Sequence, residues 1–243
     1  MFPPAIAGMI AGSGDFTPIY AGGAFLLVPA LLLLFTKFKD FKDVPYHVPS
    51  LRQTLAEIRK SRDISGILSI QFLLQFFYAW MIIYAPIYLA EHLHLPWTTI
   101  GLALTIALSA FVIFEIPAGE IADKWLGEKE LLVVGMLLMT LGAGIIPFIS
   151  STTLLVWGAV LFIGRMGASI LETMTETYFF KKIPHESANL VSAFRLTTPL
   201  AFLIAPVIAA IILPFGGIPS LFLILATLLL FGTTIVAHLK DTR

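Results

Sequence analysis

Ionisable and amide side chains stand inside stretches of this sequence that are otherwise apolar, and their spacing limits the chemistry open to them. Residues 153–180 carry Arg165, Ser169, Glu172 and Glu176. At about 100° per residue on a helix these four share one face. A guanidinium keeps its charge under nearly all conditions and grips a carboxylate or phosphate through two parallel bonds. Arg165 lies near the middle of its segment, and its neighbours Gly164, Gly167, Ala168 and Ser169 are small, which is expected to leave space beside the guanidinium. It is the first candidate for contact with a polar ligand, one that is anionic or zwitterionic. Glu172 and Glu176 lie nearer one end, at a depth matched by Glu115 and Arg195 on neighbouring segments. Those four residues suit an ion-pair cluster or gate, and Arg195 is expected to pair with Glu172 or Glu176. Gln71, Gln75 and Tyr78 share a face of residues 64–90, and Ser109 lies at the same level. Amides and a phenol serve ligand recognition or helix–helix hydrogen bonding, and the sequence leaves both open.

Other chemistries have no residues to run on. The chain has no cysteine, which excludes disulfides, thiolate metal sites and cysteine nucleophiles. His92 and His94 are two apart on one connection without an evident third ligand. No phosphate-binding glycine loop, zinc-protease motif or nucleophile elbow is present. Neither a cofactor nor a metal is expected, and enzymatic activity is not expected. Fifteen basic residues balance fifteen acidic ones, which argues against nucleic acid as a partner.

The elements that must position these side chains are set by composition. The chain is 58% hydrophobic and 12% charged over 243 residues, with a mean hydropathy of +0.93. Soluble domains run at about 45–50% apolar and 25% charged, so the lipid bilayer is the expected solvent. Eight apolar stretches can be marked, near 2–12, 18–36, 64–90, 97–121, 131–149, 153–180, 189–213 and 219–238. Crossing a ~30 Å hydrocarbon core takes about 20 helical residues, and all but the first are long enough. Open strands would leave backbone groups unpaired in lipid, so the spans are helices and the fold class is all-α. The basic residues of the connections fall on one side of an alternating topology. The segment 37–63 alone holds Lys37, Lys39, Lys42, Arg52, Arg59, Lys60 and Arg62, while 91–96, 150–152 and 214–218 hold none. The basic side is cytoplasmic by the positive-inside rule. Leu51, Leu55 and Ile58 fall on one face of a short helix expected at the membrane surface. The bland alternative for 37–63 is a solvated linker.

Residues 4–36 align with 206–238 without gaps, with eight identities that include Pro4/Pro206, Gly14/Gly216 and Ala24/Ala226. Parallel repeats of six helices would place 1–36 at the end of a first repeat, 37–63 as the linker and 64–243 as the second repeat. The opening stretch lacks a basic leader region, so no signal peptide is expected. A fragment or truncated form of a longer protein is the expectation.

The run Gly119-Glu120-Ile121-Ala122-Asp123-Lys124-Trp125-Leu126-Gly127 resembles the glycine–aspartate–basic loop of the major facilitator superfamily of secondary transporters. Gly119, Asp123 and Lys124 match in place. Gly127 comes one position late, and Glu128 and Glu130 stand where that family often has basic residues. The resemblance extends over nearly the whole chain and implies a bundle of about seven full spans and a partial one. It implies a small-molecule substrate moved across the cytoplasmic membrane by alternating access, with the C-terminus in the cytoplasm. Gly119 would allow close helix approach, and Asp123 and Lys124 would exchange partners as the two halves rock. Proton coupling through Glu115, Glu172 or Glu176 is compatible with it. A membrane-embedded enzyme acting on lipid-linked substrates, or a non-transporting scaffold, are the competing classes.

Overall fold

A computed structural model describes Pro4 and residues 17–37, 50–184 and 187–240. The expected partial span 2–12, the linker residues Lys39 and Lys42, and the side chain of Asp123 lie outside what is described.

Every regular element among the described residues is helical, as lipid requires. They are α1 (Thr17–Lys37), α2 (Leu51–Lys60), α3 (Arg62–Ile87), α4 (Trp97–Ile121), α5 (Glu128–Gly144), α6 (Leu154–Lys182) and α7 (Ala188–Ala237). A π-turn over Tyr88–His92 extends α3, and another over Ala122–Leu126 extends α4. Each follows a proline inside its helix, Pro86 and Pro117. A proline removes one backbone donor and disturbs the turn before it.

The 50 residues of α7 would reach about 75 Å at 1.5 Å per residue, far beyond one bilayer crossing. Gly217 breaks it, with φ 65° and ψ −171°. That left-handed φ is open to glycine at little cost, and Pro214 and Pro219 flank the break. The two limbs coincide with the apolar stretches 189–213 and 219–238. With α3, α4, α5 and α6, they make six crossings. α1 is also membrane-compatible, but its apolar side chains are uncovered, Phe25 at 75% and Phe35 at 85% exposed.

The amphipathic linker helix forms where its pattern predicts. Ser50 and Gln53 make a reciprocal capping box at its start. Ser61 ends α2 in extended backbone and caps α3, its Oγ accepting from the Ile64 N–H at 3.3 Å. Thr54 and Ile58 turn toward the bundle while Leu51 and Leu55 stay exposed.

The closest packing lies between α5 and α6. A Cβ placed on Gly142 would stand 2.5 Å from the Gly164 Cα, and one on Gly167 would stand 2.7 Å from the Gly135 carbonyl oxygen. Small residues let membrane helices meet backbone to backbone, where dispersion and not the hydrophobic effect drives association. Gly164 and Gly167 therefore serve helix approach, which corrects the expectation that they leave room beside Arg165. The limbs of α7 join the rest through different contacts. Phe194 stacks on Phe179 at 4.4 Å, and Trp80 Nε1 donates to the Ala205 carbonyl at 2.8 Å. On the second limb, Gly232 lies against Leu73 and Met136.

The basic helix ends gather at one end of the bundle and are tied there. Lys129 donates to the carbonyls of Ala237 and Leu239 at 3.0 and 2.9 Å, satisfying acceptors that the end of α7 leaves open. Asp63 meets Lys182 at 3.4 Å and accepts from the Lys240 backbone N–H at 3.1 Å. Tyr178 donates to the Lys240 carbonyl at 2.8 Å.

Candidate functional site

The polar face of α6 and the facing side of α4 bound an open groove of about 390 Å³. Glu115 and Phe111 come from α4; Ser169, Glu172, Thr173, Glu176 and Thr177 come from α6. Helical periodicity puts the α6 residues there, because steps of three and four return to the same face. Three carboxylates thus share one concavity on a helix bundle that is otherwise apolar.

Two contacts hold these acids. The Tyr78 hydroxyl on α3 donates to Glu172 Oε2 at 2.8 Å. Arg195 Nη1, on the first limb of α7, donates to Glu176 Oε1 at 2.7 Å. Of the two partners expected for Arg195, the structure selects Glu176, and Glu172 turns to the phenol. The Arg195 and Glu176 side chains remain 61% and 38% exposed. An ion pair within a membrane span is costly against lipid, so this face belongs to protein or to a wet cavity. Ser169 Oγ is buried and finds no partner among the described residues.

Arg165 sits deeper. It is 7% exposed, with its guanidinium carbon 5.4 Å from the Tyr78 ring centre and 6.0 Å from that of Phe77. Cation–π attraction at such distances offsets part of the cost of burying the charge. No carboxylate among the described residues lies within ion-pair distance of it. The guanidinium is not among the residues that line the groove.

Other expected ligand contacts fall elsewhere. Gln71 and Gln75 are buried in α3, 4% and 6% exposed, and line no part of the groove. Gln71 Oε1 has no partner among the described residues. Ser109 donates to the Ile106 carbonyl at 2.6 Å, which satisfies it within its own helix.

The loop after α4 is also revised in detail. A Cβ at Gly119 would meet nothing within 4 Å, so the close approach expected there is not made with any described residue. Lys124 pairs with Glu120 at 3.1 Å across one helical turn, both well exposed. Gly127 adopts φ 94° and its N–H reaches the Ala122 carbonyl at 3.1 Å, turning the chain into α5. Glu128, noted only as a departure from the family pattern, is 3% exposed and ion-paired with Lys181 of α6. Its place in the first turn of α5, where acids are favoured, was the available signal. His92 stacks on Tyr88 at 4.9 Å. No cluster of three metal-ligating side chains occurs among the described residues.

The six apolar crossings thus carry one polar groove lined by α4 and α6. The Major Facilitator Superfamily model matches residues 1–194 and, in an overlapping match, residues 67–243. The chain belongs to that superfamily. An uncharacterized transporter of Buchnera aphidicola subsp. Baizongia pistaciae (strain Bp) is 29% identical over 133 residues, 54% of this chain and 32% of that protein. The match thus spans about a third of that relative's own length.

Proposed function

We propose that this chain forms one wall of a secondary transporter that moves a small charged solute by alternating access. Residues 64–243 would be a six-helix repeat, 37–63 its linker, and 1–36 part of the other repeat. The observation that carries the reading is the groove of Glu115, Ser169, Glu172 and Glu176, with an exposed ion pair at its edge. A solitary six-helix bundle in lipid has no use for such a face. A second repeat facing it would enclose it as a central path.

The charge of the wall refines the solute class. Arg165 alone favours an anion, but Glu115 and Glu172 share the same wall. A zwitterion, with its cationic group toward the acids and its anionic group toward Arg165, would satisfy both once movement of Tyr78, which touches Glu172 and Arg165 alike, opens the groove to the guanidinium. Glu172, hydrogen-bonded through one oxygen to Tyr78, is the residue best placed to carry a coupling proton. The one-sided basic residues support a cytoplasmic linker and C-terminus in the cytoplasmic membrane.

Uptake in proteoliposomes containing both walls tests this. Glu172→Gln should abolish solute-driven proton movement while leaving solute exchange measurable. Unchanged proton movement in Glu172→Gln would remove Glu172 from the coupling step. Preference for a purely anionic solute would remove the zwitterion.

A further inference from the structure

A second concavity lies at the basic end of the bundle, away from the acidic groove. Its volume is about 490 Å³, and its walls include Arg59 and Lys60 of α2, Arg62, Ser65 and Ser69 of α3, and His238 after α7. Three cations and the Ser65 hydroxyl therefore converge from separate elements, while the Ser69 hydroxyl donates to the Ser65 carbonyl at 2.9 Å. None of Arg59, Lys60 and Arg62 makes an ion pair or side-chain hydrogen bond with a described residue. The described acids nearby are committed elsewhere. Glu57 accepts from Asn189 at 2.7 Å, and Asp63 faces Lys182 and the Lys240 backbone. His238 Nδ1 lies 2.6 Å from the Thr234 carbonyl and donates there, so Nε2 is its remaining ring nitrogen. Among the described residues, no acid pairs with the positive charge in this cavity.

The cavity does not end in protein. Ser65, Ser69 and Ile235 also line an adjoining groove of about 370 Å³ between α3 and the second limb of α7. Its other walls are Ile58, Leu68, Phe72, Leu73, Leu228 and Phe231. Phe231 is 67% exposed, so the groove opens outward. A basic chamber passing directly into an apolar trough, at the end of a membrane span, matches one kind of molecule. Its phosphate would sit among the cations, and a hydrocarbon chain would run along the trough.

We propose that this paired cavity is a specific site for one anionic glycerophospholipid, which bridges the linker helix α2 to α3 and α7. The charge complementarity selects an anionic over a zwitterionic headgroup, since no carboxylate among the described lining residues would pair with a choline or ethanolamine cation. The apolar trough selects a lipid over a free phosphate. The bridge would hold the linker helix against the bundle.

Native mass spectrometry of the full purified chain, with phosphatidylglycerol, phosphatidylcholine or inorganic phosphate added in turn, tests the assignment. Phosphatidylglycerol should be retained as a single adduct at energies that strip phosphatidylcholine. Replacing Arg59, Lys60 and Arg62 together with glutamine should weaken that retention by about tenfold or more, from the loss of three basic contacts. Arg52→Gln, on the same helix but outside the cavity, should not change it. Ser69→Phe, at the junction of chamber and trough, should block the adduct while leaving the charges in place. If the triple variant fails to fold, wild-type melting decides: phosphatidylglycerol should raise Tm and phosphatidylcholine should not. Equal retention of both lipids, retention that survives the triple variant or Ser69→Phe, or phosphate competing as well as phosphatidylglycerol would overturn the site.

Discussion

The Tyr78 hydroxyl donates to Glu172 Oε2 at 2.8 Å, joining α3 to α6 beside a groove that gathers three carboxylates. The phenol also lies under the Arg165 guanidinium, 5.4 Å from its carbon. A single ring therefore touches the wall's acid through its edge and its base through its face. Moving either partner requires the ring to move, or to give up one contact.

Tyr78→Phe keeps the ring and deletes only the donor. Stability should fall by about 1.5–3 kcal/mol, the usual net worth of a hydrogen bond to a charged group. Transport should fall at least about tenfold, because Glu172 loses its fixed orientation. Detergent melting and proteoliposome uptake separate the two effects. Equal melting and equal uptake would mean the bond has no role.

The glycine contacts make a sharper stability prediction. Gly142→Ala places a methyl group 2.5 Å from a backbone carbon of Gly164, which has no side chain to swing away. Overpacking of this kind costs about 1–3 kcal/mol, so its melting point should drop. Gly119→Ala, with open space at its Cβ, should match or slightly exceed the wild type. Parity of the two variants would refute the intimate α5–α6 contact.

The spans were legible in the sequence because hydrocarbon leaves the backbone no choice but helix. Ser50, Ser61 and Gly127 start α2, α3 and α5 in the structure, boundaries that the apolar stretches alone do not mark. Gly217 shows the limit: Phe215-Gly216-Gly217 reads as a turn, yet which glycine turns left-handed depends on packing across the end. The α6 stripe was likewise readable, since a helix fixes which of its own residues share a face. Tyr78–Glu172 was not, because helical periodicity is silent on the rotation of one helix against another. Glu128–Lys181 was missed for a related reason. A glutamate beginning a helix reads as a solvated cap until the neighbouring helix closes over it. Gly164 and Gly167 were read as space for a ligand when the neighbour filling that space was α5.

Arg195 and Glu176 should behave differently from the glycines. Their side chains are 61% and 38% exposed, and such pairs contribute about 0–1 kcal/mol to stability. Glu176→Gln and Arg195→Gln should each melt close to the wild type yet impair transport, as expected of a contact that opens and closes. The exchanged pair, Glu176→Arg with Arg195→Glu, should recover part of the lost uptake. No recovery, with both singles fully active, would make the pair incidental.

Topology can be mapped directly because the chain contains no cysteine. Single cysteines at His94 and Ser151, on the connections without Lys or Arg, should react with an impermeant maleimide in intact cells. Single cysteines at Arg62 and Lys240 should react only after the membrane is opened. The reverse pattern would invert the bundle and contradict the charge bias.

Arg165 gives the most demanding test of the proposed transport wall. It is 7% exposed and sits against the faces of Tyr78 and Phe77, with no ion-paired carboxylate among the described residues. A buried guanidinium without a fixed counter-charge is expensive, and aromatic faces offset only part of that cost. A site that binds a negative group from a passing solute has reason to keep the charge uncompensated, because a permanent partner would compete with the ligand. Arg165→Ala should therefore abolish uptake while raising or preserving the melting point, since it removes an unpaired charge. Arg165→Lys keeps the charge but loses the planar fork and its stacking, and should retain at most about a tenth of wild-type uptake. Solute should protect wild-type melting and fail to protect Arg165→Ala. If Arg165→Ala melts several degrees lower and still transports, the guanidinium is a structural brace between α3 and α6, and the anionic end of the solute must be held elsewhere.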